Sequence, residues 1–153
     1  MNHPTRDLRQ RGFTLPEILA VIALIGILVS TVVTSFGTAE QELAMASSKD
    51  TLLNDIPSAL ISYRAINGSL NGVVKKTITD AGVPANGPFG DAWTLGTPAA
   101  RTVSLAWVLT SAEDPDAFGA NLSTALGNAS GSAISAVSYD SSKETLTVNY
   151  RIP

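Results

Sequence analysis

Glu17 stands at the head of the run "RGFTLPEILAVIALIGILVS", residues 11–30, which is otherwise apolar enough to lie in lipid. A carboxylate in such surroundings is costly to desolvate unless a cation meets it. The first chemistry to expect is therefore ion pairing in an apolar medium. Other groups able to do chemistry are few. Glu113, Asp114 and Asp116 lie close enough in sequence to consider for calcium. Asp114 before Pro115 is a good helix cap, however, and acids suit a helix start without any metal, so no metal site is expected. His3 is the only histidine and cysteine is absent, so residues 13–153 offer no zinc ligand of those types and no thiol. No motif supports acid–base work by two carboxylates, and neither an enzyme nor a cofactor is expected.

Charge narrows the classes further. Ten basic and thirteen acidic residues give a formal net charge of −3, and without residues 1–12 the balance is seven to twelve. Lys75 and Lys76 with Arg64 are the nearest approach to a nucleic-acid contact, but the acidic balance argues against strong affinity, and no specific nucleic acid is expected. Trp93 and Trp107 are expected as core or loop anchors rather than ligand stackers. The glycosylation-type sequons at Asn67, Asn121 and Asn128 are what chance gives in a Ser- and Asn-rich chain.

The elements that must carry these residues follow from patterning. Residues 1–12, "MNHPTRDLRQRG", are short and basic, with Arg6, Arg9 and Arg11 against Asp7. Such a segment beside an apolar span stays on the cytoplasmic side. Residues 13–36 are the span: from Ile18 to Val33 there is no charge, and the only hydroxyls are Ser30 and Thr31. As a helix they extend roughly 36 Å at about 1.5 Å per residue. A hydrocarbon core is about 30 Å thick. Pro16 falls in the first turn, where a missing N–H costs little, and Gly26 is a soft point or a packing notch.

From residue 37 the pattern becomes amphipathic, with Leu43, Leu52, Leu53, Ile56, Leu60, Tyr63 and Ile66 at three- and four-residue intervals. One long helix is expected from about 14 to 66, with residues 37–66 laying one face on a globular head, and Pro57 is expected to kink or strain it. The head, residues 67–153, opens on a Gly-, Asn- and Pro-rich stretch, expected to be largely loop to residue 93. A strand is expected over 101–109, a short helix over 115–126, and a hairpin of "SAISAVSYD" and "ETLTVNYRI" around "DSSK". The last strand alternates Leu146, Val148, Tyr150 and Ile152 with Thr145, Thr147, Asn149 and Arg151, which requires a sheet with one buried face. Fold class is α+β.

The stretch "RGFTLPEILAVIALIGILVS" resembles the class III signal of type IV pilins and pseudopilins. The resemblance implies the pilin fold: a long N-terminal α-helix packed on an antiparallel sheet, here with a short inserted helix. It implies removal of leader residues 1–12 by prepilin peptidase, cleavage between Gly12 and Phe13, and N-methylation of Phe13. It also implies that Glu17, fifth in the processed chain, faces the Phe13 amine of a neighbouring subunit.

Partners would be further copies of the chain, the peptidase, an assembly platform in the inner membrane, and membrane lipid before assembly. The precursor would be single-pass in the inner membrane with its head outside the cytoplasm, and the product an extracellular pilus. A type II secretion pseudopilin is the alternative within the family; a single-pass anchored binding domain is the alternative outside it. Unlike many type IV pilins, the chain has no cysteine for a C-terminal disulfide. The absent proline near Thr34 and the twelve-residue leader lean towards type IVb, and Phe13 towards type IVa. "GPFGDAW", 87–93, has some likeness to a glycine-aromatic loop of pilins and major pseudopilins.

Overall fold

The computed structural model describes residues 15–129 and 133–153, and within the first helix the side chains of residues 27–38 lie outside that description. The chain divides between Ala39 and Glu40 into two units. Helix α1 runs Leu15–Asp50, a π turn covers Thr51–Asp55, and α2 continues as Ile56–Asn67. Gly68, at φ 74°, ends α2 in the left-handed conformation, with its N–H on the Arg64 carbonyl at 2.7 Å. The uninterrupted helix expected over 14–66 is thus interrupted by the π turn, and the disturbance expected at Pro57 lies just ahead of it. Pro57 has no N–H to donate, and the Ile56 N–H bonds the Thr51 carbonyl five residues back. The Leu52 carbonyl therefore loses both helical donors it could have used. Tyr150 supplies the replacement: its hydroxyl donates to the Leu52 oxygen at 2.8 Å inside the core.

Residues 40–153 form an α+β unit consistent with the pilin fold. Strands β1 (Thr94–Leu95), β2 (Thr102–Val108), β3 (Ile134–Asp140) and β4 (Thr145–Arg151) make one antiparallel sheet in the order β1-β2-β4-β3. The expected alternation in β4 holds: Leu146, Val148, Tyr150 and Ile152 are all buried. Their partners across the β2 pairing, Trp107, Leu105 and Val103, are buried with them. Against this face lie Leu52, Ile56 and Leu60 from the helix and Phe118, Leu122 and Leu126 from α4 (Pro115–Gly127). Both tryptophans are core residues, Trp93 and Trp107 being almost fully buried. The hairpin turn comes where expected, and Glu144 closes it at φ 48°.

Two expectations need correction. Leu43 and Ile66, placed on the buried face by their spacing, are 72% and 84% exposed, and the helix buries Ala44, Ser48 and Thr51 instead. The stretch 67–93 is not only loop, for α3 (Lys75–Asp80) sits inside it and seats Ile78 in the core. Lys75 fixes α3, donating to the Trp93 carbonyl at 2.8 Å with its ammonium 4.6 Å from the centre of the Trp93 ring.

The "GPFGDAW" loop folds back on itself. Gly87 donates to the Asp91 carbonyl at 2.8 Å and Gly90 adopts φ 91°. A Cβ on Gly87 would lie 3.2 Å from the Trp107 ring, a contact tight enough that the ring would have to shift by a few tenths of an ångström. Phe89 meets Phe118 edge to face at 5.0 Å. Asp91 then pins the loop to the end of β2, accepting from the Ser111 N–H at 2.8 Å, the Ser111 hydroxyl at 2.8 Å and the Thr110 hydroxyl at 3.0 Å. Partial burial pushes the Asp91 carboxyl up, but these three donors outweigh it and hold it below its ordinary value of 3.8.

A depressed folded value means stability present above the unfolded value and lost as pH falls through the folded one. Asp91→Ala is therefore expected to lower the melting temperature at pH 7. The gap to the unchanged chain should shrink as pH falls below 3.8. Melts at pH 7 and pH 3 check this, and a gap independent of pH would contradict it.

Candidate assembly site

Pro16 and Glu17 lie in the first turn of α1, where the missing proline N–H is no loss and an acid favours the helix dipole. Glu17 is exposed, and so is each residue from 15 to 26 around it. Leu15, Ile18, Leu19, Val21, Ile22, Leu24 and Ile25 are each at least half exposed. Together with Pro16, Ala20, Ala23 and Gly26 they leave no polar side chain on these turns apart from Glu17. A helix apolar all round requires lipid or protein around it. Among the described residues no helix is long and apolar enough to cross a membrane, the side chains of 27–38 being outside them. Gly12 and Phe13 also lie outside the described residues, so the expected cleavage point has no described geometry.

Asp114, Asp116, Lys75 and Lys76 have structural partners. Asp114 caps α4 by accepting from the Ala117 N–H at 3.0 Å, and Asp116 accepts from the Tyr139 hydroxyl at 3.0 Å. Burial, followed by that bond and the Asp116 charge, pushes the Tyr139 hydroxyl up to about 12. Tyr139 lies flat over Gly119, whose missing side chain makes the room. Among the described residues no group of acids and histidines is arranged to hold a metal ion. The basic residues do not make a joint surface: Lys75 is engaged with Trp93 and Lys76 with Asp80 at 2.7 Å. The loop clamp at Asp91 was not foreseen; a lone Asp between glycine and alanine gives no local sign of donors twenty residues away.

Comparison with known families places the prokaryotic N-terminal methylation motif at residues 7–33, the class III prepilin signal of type IV pilins and pseudopilins. Curated proteins and solved structures gave no match to this chain. The matched segment contains Gly12, Phe13, Glu17 and the all-apolar helical turns described above, and it points to a structural subunit.

Proposed function

We propose, from the premise that residues 7–33 carry the class III prepilin signal, that this chain is a pilin subunit that polymerises into a type IV pilus through its N-terminal helix. The observation that carries the reading is the coincidence of that motif with a helix apolar on every face. Prepilin peptidase would cut between Gly12 and Phe13, removing residues 1–12 and creating an α-amino group on Phe13, which is then methylated. Glu17 is four residues further on. In a filament the Phe13 cation of one copy meets the Glu17 carboxylate of another, each relieving the other's desolvation. Before assembly the span sits in the inner membrane with the head outside the cytoplasm. Afterwards it lies in a bundle of like helices. To an apolar helix the two surroundings are similar, so transfer exposes little apolar surface to water. Heterologous contacts that do not close then extend the polymer.

The test is the intact mass and N-terminal residue of the chain made with and without prepilin peptidase. A methylated Phe13 start that depends on the peptidase is expected. An intact Met1, or a start after residue 35, would overturn the reading in favour of an anchored or exported domain. A type II secretion pseudopilin carries the same signal, and electron microscopy of surface filaments separates it from a pilin.

A further inference from the structure

Two patches within residues 40–153 lack partners in the single chain, and they are complementary. At the far end of α2, Ile61, Arg64, Ala65 and Gly68 with Ile152 and Pro153 line an open groove of about 330 Å³. Ile61, at its rim, is 47% exposed. Arg64 lines the groove, its Nε has no hydrogen-bond partner, and it makes no ion pair among the described residues. The second patch is at the other end of the same helical stretch, where Leu43 is 72% exposed between the exposed Glu40 and Glu42. Neither glutamate makes an ion pair or side-chain hydrogen bond among the described residues.

We propose that these patches dock on one another between successive copies of this chain. Leu43 would lie against Ile61 of the next copy, and Glu40 and Glu42 would face its Arg64. The occupant of the groove is thus a second copy, chosen by charge: a partly apolar groove lined by one cation outside any ion pair among the described residues fits an apolar residue flanked by two acids. This rests on the filament reading, because copies anchored by the same span share one polarity. An antiparallel closed pair is then unavailable. With Leu43 and Ile61 18 residues apart, about 27 Å along a helix at about 1.5 Å per residue, the contact repeats head to tail instead of closing.

The chain has no cysteine, which makes the test direct. Leu43→Cys and Ile61→Cys are introduced together and singly into the full chain and oxidised in the cell envelope. The double variant is expected to give a ladder of dimers, trimers and higher forms on a non-reducing gel, and the single variants monomer. Adding Arg64→Glu should reduce the ladder by about tenfold or more, and adding Glu40→Arg with Glu42→Arg to that chain should restore it.

Monomer only, a dimer without higher forms, a dimer from a single variant, or a cross-link to a different protein would each overturn the proposal. Failure of charge reversal to restore the ladder would overturn the pairing of Arg64 with the glutamates. Filaments in the microscope without a ladder would leave the pilin reading standing and remove this contact. A ladder without filaments would do the opposite.

Discussion

Glu17→Ala is expected to enter the membrane at least as readily as the unchanged chain and to yield less than about a hundredth of its filaments. Insertion should not suffer, because an acid near mid-membrane costs about 2.5–3.5 kcal/mol and alanine removes whatever part of that applies near the edge. Assembly should suffer because the partner cation remains. Removing one member of a buried pair leaves the other uncompensated, at about 3–5 kcal/mol. Each 1.4 kcal/mol is tenfold in an equilibrium, so a loss of about a hundredfold or more follows. Glu17→Gln keeps an acceptor without the charge and should fall between. Sheared filaments and the membrane fraction, blotted separately, give the two quantities. Normal filament yield from Glu17→Ala would remove the proposed role of Glu17.

Tyr150→Phe is expected to destabilise the chain by about 1–3 kcal/mol, although it deletes only one oxygen. The ring stays buried against Val103 and the core, so little apolar contact changes. What changes is the Leu52 carbonyl. Pro57 and the π turn have taken both of its helical donors, and the Tyr150 hydroxyl is the donor that replaces them. Without it a carbonyl is buried and unsatisfied. Urea unfolding of the detergent-solubilised chain, followed by near-ultraviolet circular dichroism, measures the loss.

A pH arm adds a check. Burial raises the pKa of the Tyr150 hydroxyl above its ordinary 10, so its contribution is present below 10 and is lost as pH rises past that value. The variant should lack that part of the alkaline decline. An unchanged midpoint at pH 7 would mean that the Leu52 carbonyl finds another donor.

What could be read in advance was local. Asp114 and Pro115 mark the start of α4 within one turn, and the alternation from Leu146 to Ile152 assigns the inner face of β4 because both signals lie in adjacent residues. The helix face was misread for a physical reason. On a regular helix a stripe repeating every four residues drifts by about 40° per step. The wider π turn at 51–55 alters the phase, so Ala44 and Ser48 turn inward while Leu43 and Ile66 turn out. Pro57 announced a disturbance but not the π turn that takes it up. Helix α3 was hidden because "KKTITD" contains β-branched residues and is short; burial of Ile78 and the grip of Trp93 on Lys75 hold it, and both are tertiary. The motif that carries the candidate assembly site was the reverse case: it is contiguous, and its match at residues 7–33 needs no knowledge of the fold.

The sheet order carries one further consequence. Residues 145–151 come after every other element in the chain, yet β4 sits between β2 and β3, and its Tyr150 reaches a helix carbonyl 98 residues earlier. No two of the earlier long strands are neighbours without it. On the proposed topology, a head passed across the membrane N-terminus first would have its spine missing until the final segment is through. Closing a loop of that length is also entropically slow. Threading and folding would thereby be separated in time, the sheet being completed only when β4 enters between β2 and β3.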